Sequence, residues 1–505
     1  MSTSAASTRA ARSPRERREG DAEANGGRTA LASAAGSLPG EQESLDGGEP
    51  TLLTGWGRTA ATLAALHRPE GADRVAEIVA GAGERGVIAR GLGRSYGDPA
   101  QNAGGRVVSM LGVRAVRGFD VENGVITVGA GLSIGELGGL VTPFGWFPPV
   151  LPGTSQVTIG GAIAADVHGK NHHVEGSFCD HVLAFELVIP GGEPLTVTPA
   201  TEPDVFAATA GGMGMTGVVT EATIRLLPVE TDRVRVDTER ASDLDDLMGR
   251  MERDEDYRYS VAWVDCLARG RRLGRSVLMR AEHATRAEVA GGDGARTTLD
   301  FSPPRALSAP PGVPSGVLST ATLRAFNEAY FRRAPRLERG RIESLNAYFR
   351  PLDVVADWNR LYGARGLLQY QLVVPFGAEG ALRTVVARLA AERAPAFLAV
   401  LKRFGRGHGM LSFPMAGWTL TMDLPAGRAG LALFLDELDE LIVKAGGRLY
   451  LAKDSRLRPE LLEPMYPELA RWREVQARLD PRGALRSDLG RRVGLVEGAP
   501  ARAAR

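Results

Sequence analysis

Residues 157–173 read VTIGGAIAADVHGKNHH, and about 60 residues before them residues 89–98 read ARGLGRSYGD. The earlier run spaces Gly91, Gly93 and Gly97 as G-x-G-x-x-x-G, which differs from the G-x-G-x-x-G dinucleotide fingerprint. Glycines at this density let backbone approach a diphosphate and present N–H groups to it, although a plain glycine turn gives the same pattern. In the later run His168 and His172 would share a helical face and suggest a metal pair. Gly169, Lys170 and Asn171 between them make a poor helix, and a lysine beside a cation is unfavourable. A hydrogen-bonded structural histidine fits better. Gly212, Gly214 and Gly217 do have fingerprint spacing. A Rossmann turn needs a strand before it and a helix after it, whereas here a short helix precedes and a strand follows, so no NAD site is expected.

The bulk numbers narrow the class. A chain of 505 residues exceeds one ordinary core, and 44% apolar with 24% charged residues is a globular composition. Sixty-one basic residues against 60 acidic ones give no basic field for nucleic acid. Two cysteines, Cys179 and Cys266, cannot build a disulfide framework or a four-cysteine zinc site and read as reduced thiols. No apolar run is long enough to span a bilayer. The arginines at 9, 12, 15, 17 and 18 lack a following apolar segment, so no secretory signal is expected. Cytoplasmic, inner-membrane-peripheral and periplasmic placements all stay open. Residues 1–48 contain no aromatic side chain and read as a disordered tail, as do residues 496–505.

Between the tails the pattern is mixed. A helix is expected at 73–82, with strands at 86–89, 107–110, 125–128, 183–189, 195–198 and 218–227, and a helix at 203–210. From about residue 230 charged helical pieces such as 244–254 alternate with strands at 260–264, 368–374 and 419–424. A proline-rich stretch at 302–319 reads as a loop, and a helix over 431–445 stops at Gly446-Gly447.

Taken together, these motifs resemble the vanillyl-alcohol-oxidase (PCMH-type) FAD superfamily, and within it the decaprenylphosphoryl-ribose oxidases, over residues 54–495. The resemblance implies an α+β, two-domain fold. Residues 49–229 and 448–495 would form the FAD domain, and residues 230–447 an antiparallel-sheet substrate domain. It implies FAD contacts from Ala89, Arg90, Gly91, Leu92, Gly93, Arg94, Ser95, Tyr96, Gly97 and Asp98. Further contacts would come from Gly153, Thr158, Ile159, Gly160, Gly161, Ala165 and His168, from Gly217 and Val219 in the GGMGMTG turn, and from Tyr450. Substrate contacts would come from Trp263 (AWVD), Gln369 and Gln371 (LQYQLVVP), Lys402 (LKRFG), Thr419 and Thr421 (GWTLTMD) and Lys453 (YLAKDSR). Lys453 and His168 are both candidates for the catalytic base or orienting group. Each of these side chains taken singly reads as ordinary surface or strand decoration.

Two departures from the family stand out. Many superfamily members tether FAD to a histidine in the first glycine loop; here that loop has Arg94 and Tyr96, which implies non-covalent FAD. The family often reads GWNICVD where this chain reads GWTLTMD, so Thr419 replaces an asparagine and Thr421 an active-site cysteine. The implied reaction is oxidation of the ribose 2-hydroxyl of a polyprenylphosphoryl-ribose at a membrane surface, with a partner keto-reductase completing epimerisation and no nucleic acid involved. The alternatives are an aldonolactone or alditol oxidase and a flavin-binding scaffold without turnover.

Overall fold

In the computed structural model the described residues are 47–496, except 192, 255, 291–298, 302–306, 311–318 and 351–352. The expected tails and most of the proline-rich stretch fall outside them. The first sheet has four strands in the order Glu49–Thr54, Ala61–His67, Arg106–Ser109, Val87–Arg90, with parallel pairing of the last three. Helix Ala72–Ala80 supplies the crossover and buries Val75, Ile78 and Val79. A second, antiparallel sheet runs Val116–Asp120, Val125–Gly129, Val218–Arg225, Val182–Val188, Leu195–Val197. Strand Val218–Arg225 does follow the GGMGMTG turn directly, after helix Pro203–Thr209, so no helix caps that turn.

The third sheet has eight antiparallel strands. Their order is Leu337–Ser344, Arg233–Ala241, Ser276–His283, Tyr259–Val264, Ala399–Phe404, Gly417–Pro425, Leu367–Pro375 and Arg448–Leu449. Alternation sorts its central strands. In GWTLTMDLP, Trp418, Leu420, Met422 and Leu424 are buried on one face, while Thr419, Thr421 and Asp423 point to the other. Tyr370 confirms which face meets the helices, because its hydroxyl donates to Asp439 of helix Leu431–Lys444 at 2.8 Å. The opposite face is left for the polar residues.

Helix Ile134–Val141 was not expected from periodicity, yet a capping box starts it. Ser133 Oγ accepts from the Glu136 amide at 3.1 Å, and the Glu136 carboxylate accepts from the Ser133 amide at 2.9 Å. Helices Thr320–Arg333, Glu379–Ala391 and Leu469–Leu479 were also not anticipated. Among the described residues no helix is long and apolar enough to cross a membrane.

The chain's end returns to its beginning through one arginine. The Arg492 guanidinium donates to both carboxylate oxygens of Asp98, at 3.0 and 2.7 Å, and to Asp454 at 2.8 Å. Gly97 lies so close to the return segment that a Cβ there would stand 1.9 Å from the Asp454 carbonyl oxygen. Replacing Arg492 by alanine leaves two carboxylates, one of them buried, without their partner. The variant should lose about 3 kcal/mol of stability in urea unfolding, whereas an unchanged midpoint would show the pairing to be ornamental.

Candidate active site

A cavity of about 950 Å³ lies between the glycine loops and the polar face of the eight-stranded sheet. That is the upper end of the range for small-molecule sites, enough for a cofactor and a second molecule. One wall is almost all backbone: Gly91, Gly93, Gly153, Gly160, Gly161, Ala164, Ala165, Gly214 and Gly217 line it. Gly91 is required by the approach of Thr158, whose Oγ1 would lie 2.1 Å from an added Cβ. Thr158 itself caps the short helix Ile159–Ala164, accepting from the Gly161 amide at 3.2 Å. A wall of small residues with accessible peptide groups fits the long, polar body of FAD.

The opposite wall is the sheet. Strand register places Val400 opposite Thr421 and Thr421 opposite Gln371, and in neighbouring rows Lys402 faces Thr419 and Asp423 faces Gln369. Trp263 pairs with Val400 on the next strand and extends the row. Because side chains alternate, residues two apart on each strand present to one face, so three strands converge on one surface. The return segment brings Tyr450 and Lys453 to its edge; the Tyr450 amide donates to the Gln371 carbonyl at 3.1 Å.

Two hydrogen-bonded clusters organise this surface. In the first, the Gln369 amide nitrogen donates to the Tyr96 hydroxyl at 2.9 Å and to Asp423 Oδ1 at 2.6 Å. Asp423 Oδ2 is buried without a protein partner. Lys453 Nζ lies 4.3 Å from the centre of the Tyr96 ring. Burial pushes the Asp423 carboxyl up to about 7, against the opposing Gln369 bond and Lys453 charge, and pushes Lys453 down to about 8. In the second cluster the Thr419 hydroxyl donates to the Leu372 carbonyl at 2.8 Å, which leaves its oxygen only as an acceptor. The Gln371 amide nitrogen donates to that oxygen at 3.3 Å and contacts His168 Nε2 at 2.9 Å. His168 Nε2 is therefore the acceptor, and the proton of the neutral ring sits on Nδ1. Burial first, then the Lys402, His172 and Lys453 charges, hold His168 well below its ordinary range. The ring is enclosed by Phe404, Phe413 and Tyr450, and the Tyr450 hydroxyl donates to the Ala165 carbonyl at 2.7 Å.

Most residues expected at the site do line the cavity. Five do not, each for a visible reason. Arg90 turns to the Ala100 and Thr54 carbonyls, at 3.0 and 2.8 Å. Gly97 packs on the return segment, and Asp98 is taken by Arg492. Ile159 points into the core with no accessible surface, and Thr419 is buried behind Gln371. His168 and His172 do not share a helical face, since only His172–Glu175 is helical and His172 Nδ1 accepts from the Gly405 amide at 3.1 Å. Among the described residues no group of three or more His, Cys, Asp or Glu is arranged around a metal position. Lys170 and Tyr348 also line the cavity and were not expected there. A signal for Lys170 exists: the chain has four lysines, at 170, 402, 444 and 453, among 61 basic residues, and three of the four reach this one cavity.

Comparison with known proteins agrees with this geometry. Residues 63–198 match the FAD binding domain family, and residues 420–493 match the D-arabinono-1,4-lactone oxidase family. The chain is 40% identical over 451 residues to the decaprenylphosphoryl-beta-D-ribose oxidase of Mycolicibacterium smegmatis, covering 88% of this chain and 97% of that protein. It is 44% identical over 375 residues to an uncharacterized Streptomyces coelicolor protein, covering 72% of this chain and all of the other. Human delta(24)-sterol reductase is 29% identical over 121 residues, 24% of this chain and 23% of the reductase, a likeness confined to a short part of each. With its cavity walled by glycine loops on one side and a polar sheet face on the other, and with identity running almost end to end, the chain belongs to the decaprenylphosphoryl-beta-D-ribose oxidase family of FAD-dependent oxidoreductases.

Proposed function

We propose that the protein oxidises the 2-hydroxyl of a polyprenylphosphoryl-β-D-ribose to the 2-keto sugar, with FAD held non-covalently. The carrying observation is the half-buried Lys453, poised over Tyr96 beside the Gln369–Asp423 pair on the cavity's polar wall. In this reading residues 49–229 and 448–495 hold FAD, through the Gly91–Tyr96 loop, Gly153, Thr158, Gly160, Gly161, Ala165, Gly217, Val219 and Tyr450. Residues 230–447 hold the sugar through Trp263, Gln369, Gln371, Lys402 and Thr421. Bound FAD supplies the acceptor for the C2 hydrogen and its two electrons. The protein's own work is to orient the sugar and take the hydroxyl proton. Lys453 takes that proton, because a lysine lowered to about 8 is in part neutral at physiological pH. Asp423, raised to about 7 and with a free oxygen, is the next holder of the proton. His168, whose Nε2 is already occupied by Gln371, orients the substrate from Nδ1–H. A ketone product calls for a partner reductase, and the polyprenyl tail calls for work at a membrane surface.

Three outcomes test this. The purified yellow protein should bleach anaerobically with polyprenylphosphoryl-ribose and stay yellow with free alditols or aldonolactones; the reverse pattern would favour the lactone-oxidase alternative. Acid precipitation should leave free FAD in the supernatant, since residues 90–98 offer no histidine; colour kept by the washed pellet would contradict this. Lys453→Ala should bind FAD normally yet lose roughly 100-fold or more in kcat/KM. For the natural enzyme kcat at saturating substrate should rise with pH through about 8, because the base works only when deprotonated. A flat profile together with near-normal Lys453→Ala turnover would remove Lys453 from the chemistry.

A further inference from the structure

Lys453 has a carboxylate nearby in Asp423 and Lys170 has one in Glu343, whereas the charges acting on Lys402 are those of the other two lysines. Lys402 projects from the sheet face opposite Thr419 and, among the described residues, makes no hydrogen bond or ion pair; the Phe404 ring centre lies 5.7 Å from its Nζ. Lys170 donates to the Tyr348 carbonyl at 2.5 Å and sits 3.9 Å over the Tyr348 ring. Both are half-buried and line the cavity, Lys402 on a sheet strand and Lys170 beside the sheet, where its carbonyl accepts from the Ser260 amide at 3.0 Å. Glu343 lines the same region but is ion-paired with Arg341 at 3.2 Å. Like charges gathered where the medium is poorly polarisable repel one another strongly. Burial lowers both lysines to about 7; the neighbouring Lys453 and Lys170 charges add to the effect at Lys402. Such an arrangement is costly unless an anion completes it. The small-residue wall already serves the FAD diphosphate, so the anion belongs to the second occupant.

We propose that Lys170 and Lys402 form an anion subsite for the phosphodiester of the lipid-linked substrate, which fixes the sugar's register relative to Lys453. The inference rests on the reading of the cavity as the site of a phosphate-linked sugar, and it adds Lys170 and the division of labour among the three lysines. Lysine suits this role because its ammonium is compact and fits where the broader guanidinium fork does not.

The test uses the FAD-loaded enzyme and a probe without ribose, farnesyl methyl phosphate, a diester whose single negative charge does not change between about pH 5 and 10. Its phosphate-free counterpart is farnesyl methyl ether. Binding is followed by perturbation of the flavin spectrum or by calorimetry. Lys170→Gln and Lys402→Gln should each weaken the diester about tenfold or more and leave the ether and the FAD content unchanged. In the natural enzyme the ratio of diester to ether affinity should fall as pH rises from about 6 to 9.5, as the two ammonium groups lose their protons. The facing groups do not reverse that sign. His168 and His172 are held low by burial and stay neutral, Tyr348 is held high, Glu343 is paired, and Lys453 discharges in the same direction. Equal loss of diester and ether, or a pH-independent ratio, overturns the subsite. Failure to oxidise the lipid-linked ribose overturns the proposed reaction instead, because this probe is never oxidised.

Discussion

Arg492 holds the site together from behind. One guanidinium takes both oxygens of Asp98 at the end of the first glycine loop and one oxygen of Asp454 in the return segment. The Tyr96 amide donates to the Ala452 carbonyl at 3.0 Å beside it. These contacts bring Tyr96 and Lys453, more than 350 residues apart in the chain, to 4.3 Å ring-to-ammonium distance. Charge-assisted, bidentate bonds are geometrically strict, which suits a joint that fixes two distant segments against each other. Asp98 thus serves the position of the loop and does not line the cavity.

A second joint closes the other side. Asp353 accepts from the Thr154 hydroxyl at 2.6 Å and from the Ser155 amide and hydroxyl at 2.9 and 2.7 Å. The His172 ring and the Lys170 carbonyl also bond across, to the Gly405 and Ser260 amides at 3.1 and 3.0 Å. The segment 157–173 is therefore shared: its first half forms the small-residue wall, and its second half reaches the sheet. Asp166, between the halves, sits at φ 39°, a backbone region unusual for a non-glycine residue, and its buried carboxylate is tied to Ser412 and the Cys179 amide. Local strain of this kind persists only where surrounding bonds over-determine it.

The two threonines of GWTLTMD separate in role. Thr421 lines the cavity with Gln371 and Val400, so a threonine in place of cysteine alters the cavity surface itself. Thr419 is buried, and its hydroxyl orients Gln371, which in turn sets the tautomer of His168. Two threonines separated by one residue in one motif thus act on the wall and on what stands behind it.

The sequence by itself determined the glycine loops and the alternating strands, because these follow from local periodicity and backbone freedom, while the class of cofactor came from its resemblance to a known FAD superfamily. It also held signals that periodicity masks: the Ser133–Glu136 capping box and the scarcity of lysine. It could not separate Tyr96, which faces the cavity, from Gly97 and Asp98, which serve the fold, since all three lie in one short run. Nor could it separate Thr419 from Thr421, or show that Lys170 joins Lys402 and Lys453. Those distinctions depend on long-range pairing. Strand register decides which alternate side chains share a face, and the Arg492 joint decides what stands opposite them, so only the tertiary structure turns scattered polar residues into a site.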